Sequence, residues 1–411
     1  MLLPYFSLSI LIFLARFNGC SRCSSRWPRC YSNRSEQTYF IIKERYDIEA
    51  GKISSAQLAC MLFLSLLATA TLSSPSLAYN VSHTDMWMTP IIGCVTGFAS
   101  IYIALSLHRR YPGRTIVQYC ELILGPVVGK FISLTFLIVC LMMNANQLRQ
   151  FSELMSMAFM PNTPLVVFAC TMVLVSSIAV RLGVEIIGRL ALSLTPLIVV
   201  IVVVLILPLI KEMEPDRILP IFSQGAAPVL RGAITLQLWY PMYMYASMFL
   251  PYLSKHDQNK GRLYWAVGWS VVTFTLTFLY VLMALGTATN FFSYPFLQLS
   301  RYVSIASFMT HLDSLIMIVW VMDVFIRTIV MYYAATSGLA QWFKLSSYKP
   351  LTLPVGLAII LLAFWSIPDA TTYNYSLGHI ILFYYIYAHL CIPIVLFATA
   401  LLRGSSPKIP T

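Results

Sequence analysis

Charge is the scarcest commodity in this sequence. Of 411 residues only 10% are Asp, Glu, Lys or Arg, against 59% hydrophobic, and mean hydropathy is +0.77. So little charge cannot cover a water-exposed surface, which excludes a soluble domain and indicates a polytopic membrane protein. Signatures of chemistry are missing as well. The chain has no glycine-rich phosphate loop, no His/Cys ligand cluster and no serine nucleophile elbow, so no cofactor, metal or enzymatic reaction is expected. Cysteine forms no framework: positions 60, 94, 140, 170 and 391 sit in apolar spans, where the thiol acts as a small hydrophobe. Cys20-x-x-Cys23 with Cys30 lacks a second ligand pair.

Acidic residues are outnumbered, 15 to 27, for a net charge of +12. The basic residues lie in short loops between apolar runs, a pattern of membrane orientation that speaks against a nucleic-acid partner. Residues 1–50 stand apart. Leu2 to Leu14 is apolar but short for a span, and Arg16, Arg22, Arg26, Arg29 and Arg34 follow it, the reverse of a signal peptide. A mispredicted start, an interfacial anchor and a disordered tail all stay open for this extension.

Residues 51–403 read as a single transmembrane domain, with 404–411 a short tail. Ten apolar spans run near 54–79, 87–107, 127–159, 164–180, 187–210, 228–253, 263–288, 305–341, 350–367 and 376–402. The third and eighth exceed the roughly 20 residues needed to cross. One set of span ends carries fourteen Lys and Arg, from Lys52 through Arg109 and Arg262 to Lys408. The other carries only Lys211, Arg217, Arg231 and Arg301. The positive-inside rule then puts both termini in the cytoplasm.

The first span holds Thr69, Thr71, Ser73 and Ser74 just before Pro75. Proline removes a backbone donor and crowds the carbonyl four residues back. Freed backbone is tolerated in a membrane only inside protein or beside water. Either the helix is broken near 69–75 and forms half of a solute site, or the span is only kinked. A second candidate break is Trp239-Tyr240-Pro241 in the sixth span. The long third span matches the long eighth at an offset of 165–190 residues that persists along the chain. Five spans repeated must be inverted, so the expected fold is all-α, a five-plus-five inverted repeat with helices 1 and 6 broken.

Two polar stripes cross the apolar spans. Asn146, Arg149, Gln150 and Glu153 share one face of the third span; Trp320, Asp323 and Arg327 share one face of the eighth. Charges at that depth face the bundle interior or water. They read as a wet cavity or ion path, or as buried pairs fixing the packing. Glu185 and Arg189 read as an interfacial pair, and His379 and His389 as packing residues. Trp239, Tyr240, Tyr243 and Tyr245 crowd the sixth-span break, where aromatics could shape a pocket.

Several stretches bring a family into view: Lys52-Ile-Ser-Ser-Ala-Gln57, Tyr111-Pro-Gly-Arg-Thr115, Met160-Pro-Asn-Thr-Pro164, Val180-Arg-Leu-Gly-Val-Glu-Ile-Ile-Gly-Arg-Leu190, Arg301-Tyr-Val-Ser-Ile305, Trp320-Val-Met-Asp-Val-Phe-Ile-Arg327 and Tyr332-Tyr-Ala-Ala335. In this order, from about Lys52 to Leu402, the chain resembles the GerAB-type B subunits of spore germinant receptors. That family lies within the amino acid–polyamine–organocation transporter superfamily. The resemblance implies the LeuT-like fold, the spore inner membrane, A and C partner subunits, and sensing of a small germinant, typically an amino acid. It implies a ligand site at Ala68, Thr69, Thr71, Ser73, Ser74, Trp239, Tyr240 and Tyr243, with the Arg149 and Arg327 stripes alongside. Two departures are visible. Ala68 stands where relatives carry glycine, and Leu238-Trp-Tyr-Pro-Met242 lacks the carboxylate relatives often place at that break. A substrate-moving amino-acid permease and a water or ion channel remain the alternatives.

Overall fold

The computed structural model describes residue 49 and residues 51–210, 213–254, 257, 259–302, 312–366 and 376–403. The 1–48 extension and the 404–411 tail lie outside the described residues. Within them the regular secondary structure is helical apart from one isolated parallel bridge, Ile53 to Leu253. Each of the ten apolar spans coincides with a helical segment, and seven described stretches are long and apolar enough to cross a membrane.

Helix α1 (Ser55–Ser82) starts at a capping box. The Ser54 hydroxyl accepts from the Gln57 amide at 3.1 Å, and the Gln57 side chain accepts from the Ser54 amide at 2.7 Å. It then runs 28 residues without interruption, with Pro75 inside. The expected break near 69–75 is therefore absent. Pro75 forfeits one backbone bond, whereas opening the helix would strand several amides and carbonyls in apolar surroundings. Two of the hydroxyls that pointed to a break close onto their own helix. Thr71 Oγ1 donates to the Leu67 carbonyl at 3.1 Å, and Ser74 Oγ donates to the Ala70 carbonyl.

The sixth segment does break. After α6 (Ala226–Thr235) the backbone tightens into 3₁₀ turns at Leu236–Leu238 and Tyr240–Tyr245, with Trp239 between them. A single α-turn, Ala246–Phe249, and another 3₁₀ turn, Leu250–Tyr252, complete it. Pro241 and Pro251 each remove a donor, so a regular α-ladder cannot run through this stretch.

The remaining spans are α2 (Val95–Arg110), α3 (Pro126–Ala158), α4 (Leu165–Leu182), α5 (Val184–Leu209), α7 (Gly261–Leu285), α8 (Leu312–Trp342), α9 (Thr352–Trp365) and α10 (377–402). At 33 and 31 residues, α3 and α8 are the longest, and they pack on each other as the two polar stripes require. Helix α1 packs against α5, α7 and α8. Helix α10 widens into π-turns at Leu377–Ile381 and Tyr387–Cys391, a distortion often found at functional sites. A short amphipathic helix, Ile116–Leu124, lies against α3.

Candidate functional site

The break in segment six faces a small cavity. Its lining comes from four elements: Asn146 and Gln147 of α3, Leu238 and Trp239 of the break, Arg327 of α8, and Leu377 and Tyr385 of α10. Its volume is about 10 Å3, room for a single water molecule. Among the described residues, none of α1 lines it.

The lining is more polar than so small a space needs. Asn146 Nδ2 donates to the Tyr384 hydroxyl at 2.6 Å and lies 3.4 Å from that of Tyr385. The buried Arg327 guanidinium reaches the Met242 sulfur at 3.7 Å, tying α8 to the broken segment. Gln147 is buried, yet both ends of its amide lack a hydrogen-bond partner among the described residues. So do both ends of the Asn144 amide, Asp323 Oδ1 and Thr328 Oγ1. Of these only Gln147 lines the cavity; each orphaned polar group costs about 1–3 kcal/mol, so the unmet amide there is held at an expense in stability. A guest with its own donors and acceptors would recover it.

Of the residues expected at the site, Trp239, Asn146 and Arg327 line the cavity. Tyr240 turns away, its ring 5.6 Å from that of Phe274 on α7, in space left by Gly93 and Gly97. The Tyr243 hydroxyl donates to the Ala266 carbonyl of α7 at 2.8 Å. Ala68 and Thr69 lie within the unbroken backbone of α1, and Ser73 is buried there with Thr71 and Ser74 nearby.

Arg149 and Glu153 form a buried pair at 2.7 Å, with the guanidinium over the Phe364 ring of α9 at 5.2 Å. Phe151 and Trp320 stack at 5.4 Å and join the two stripes; Gln150 and Asp323 are buried with them. Glu185 and Arg189 form the exposed pair expected of them. His389 packs between Tyr245 and Phe136, its Nδ1 3.0 Å from the Tyr385 carbonyl. Gln147, Leu238, Leu377 and Tyr385 are lining residues that sequence reasoning missed. Gln147 alone carried a signal, as a second amide beside Asn146 in an apolar span.

Known proteins resemble this chain in sequence and in fold. A family profile described as spore germination protein matches residues 52–373. Spore germination protein YndE of Bacillus subtilis (strain 168) is 26% identical over 365 residues, covering 87% of this chain and 99% of its own length. Spore germination protein KB of the same organism is 23% identical over 363 residues, covering 86% and 95%. Among solved structures, MhsT in complex with L-phenylalanine superposes with a TM-score of 0.61 at 12% identity, over 85% of this chain and 99% of that one. A Na+-coupled sialic acid symporter superposes with a TM-score of 0.56 at 12% identity, over 86% and 83%. The structural likenesses identify the fold as a LeuT-like polytopic membrane fold. With the family profile spanning most of the helical bundle, the chain belongs to the spore germination protein family, as a germination-related membrane permease.

Proposed function

We propose that this protein senses a small nutrient germinant, an amino acid, at the cavity between the sixth-segment break and helices α3, α8 and α10. Binding shifts the bundle between two packings, and the shift passes to A- and C-type receptor subunits in the spore inner membrane. The protein acts by binding and carries out no reaction of its own. Both termini lie in the cytoplasm.

The observation that carries this reading is the meeting of a broken helix, a buried guanidinium and an unpartnered amide around one cavity. Arg327 suits a carboxylate, Gln147 offers an unused donor and an unused acceptor, and Trp239 covers an apolar side chain. At about 10 Å3 the cavity is contracted, so a guest must move the elements that line it.

The test is equilibrium binding of a radiolabelled amino-acid panel, L-phenylalanine included, to purified protein. Arg327→Gln and Gln147→Leu should each weaken binding at least tenfold, while Leu361→Ala, on an exposed face of α9, should leave it unchanged. Undiminished binding in both cavity variants would remove the site from this location. Uptake into proteoliposomes separates sensing from transport: sustained, gradient-driven accumulation would make the protein a working permease.

A further inference from the structure

The two walls of the cavity share an anchor at the end of the bundle where α1 and α5 begin. Just ahead of α1, the carboxylate of Glu49 gathers donors from four places. It accepts from the Gly51 amide at 2.8 Å, the Val184 amide at the start of α5 at 3.2 Å, the Tyr348 hydroxyl at 2.9 Å and the α8 Tyr333 hydroxyl at 3.5 Å. Tyr333 and Tyr348 are fully buried, their rings 5.3 Å apart. Gly183 turns beneath this carboxylate at φ +99°, and a Cβ there would lie 2.8 Å from Glu49 Oε2.

A few residues on, the same segment is tied to the broken one. The Ile53 amide donates to the Tyr252 carbonyl, and the Ser254 amide donates to the Ile53 carbonyl, both at 2.9 Å. Asp257 accepts from the Ser55 amide at 3.2 Å, the Ser55 hydroxyl at 2.9 Å and Arg262 at 2.8 Å. The Ser55 hydroxyl, with Arg262 beside it, holds the Asp257 carboxyl below its usual range, so the clasp is ionised.

Glu49 and residues 51–57 therefore strap together the two elements that must part when the cavity expands. Tyr333 lies six residues beyond Arg327 on α8, about 9 Å along the helix axis. Its ring stacks on Phe249 at 5.5 Å and meets Tyr252 edge-on at 6.3 Å, both from the broken segment. Separating α8 from that segment at Arg327 shifts Tyr333 against Tyr252 and loads both halves of the strap at once. We infer that this strap is the output of the cavity: it stays clasped while the cavity is contracted and loosens when a guest drives α8 away from the broken segment. The inference rests on the proposed binding site for its physiological trigger, and on the hydrogen bonds above for its mechanics.

A steric wedge substitutes for the guest. Gln147→Phe overfills the cavity, and Leu377→Phe overfills it from α10 should the first variant fail to fold. Leu174→Phe, on an exposed face of α4, is the control. Hydrogen–deuterium exchange on the full-length chain in lipid nanodiscs then follows the amides of Ile53 and Ser254. Either wedge should speed their exchange at least tenfold and the control should not. Glu49→Gln combined with Tyr348→Phe should do the same with no wedge present. Strap amides within twofold of the unsubstituted protein in a folded wedge variant would overturn the inference. The outcomes separate from those of the binding site: an unresponsive strap with Arg327-dependent binding intact removes the strap alone. A responsive strap in a protein that binds no amino acid keeps the coupling and removes the trigger.

Discussion

Gly129 decides how closely α3 meets the helix before it. A Cβ at this position would lie 2.2 Å from the Cys120 carbonyl oxygen and 2.6 Å from the Glu121 Cα. Both are backbone atoms of the short helix Ile116–Leu124, so no rotamer change can make room. Gly129→Ala should therefore destabilise the protein by about 1–3 kcal/mol, the usual cost of overpacking, and lower its Tm by several degrees in detergent. Gly268→Ala is the matched comparison. It sits in α7 with nothing within 4 Å of its would-be Cβ, and should be neutral or gain up to about 1 kcal/mol from helix propensity. Because α3 carries Asn146 and Gln147, the same clash should weaken nutrient binding by shifting the helix along its axis. Equal melting temperatures for the two alanine variants would show that α3 has slack at its start.

At the scale of the element, two prolines in similar settings gave opposite outcomes. Pro75 and Pro241 each interrupt an apolar span and each removes one donor. At Pro241 the interruption is real, because Pro251 lies ten residues on and crowded aromatics fill the turns between. At Pro75 the neighbouring hydroxyls read from sequence as the lining of a gap, yet in the fold Thr71 and Ser74 bond back to the preceding turn. The same residue types serve either purpose, so the pattern could not separate them. Pro75→Ala tests the unbroken helix: it restores a backbone bond and relieves the crowding at Thr71. It should keep or raise the Tm, with nutrient binding unchanged. A loss of binding would mean that a break at Pro75 is part of the working protein.

The polar stripes were legible because four charged or amide residues at helical spacing have no bland place in a membrane. Their facing partners were not. Leu238, Leu377 and Tyr385 reach the cavity through a turn and a π-distorted helix that no local pattern announces.

For the molecule as a whole, orientation gives the proposed signal a direction. The strap sits at the end of the bundle shared by Lys52, Arg262 and Lys349; Arg217 and Leu219 belong to the opposite connection, between α5 and α6. That connection is fastened to α1's far end: both Asp85 carboxylate oxygens accept from the Phe222 amide, at 3.0 and 3.1 Å. It is fastened to α7 as well, where Arg217 donates to the Ala284 carbonyl. Opening at that face must carry α1, α6 and α7 together, whereas the strap ties α8 and the broken segment to a short stretch of chain. In the proposed orientation, with the Lys- and Arg-rich ends, fourteen against four, on the inner side, the strap faces the cytoplasm. In a background lacking the native thiols, Leu219→Cys should react with a membrane-impermeant maleimide on intact cells. Lys349→Cys should react only after permeabilisation; both positions are exposed, so access to the reagent is set by the membrane alone. The reverse labelling would turn the bundle over and place the strap outside, where its release could not be read by a cytoplasmic partner.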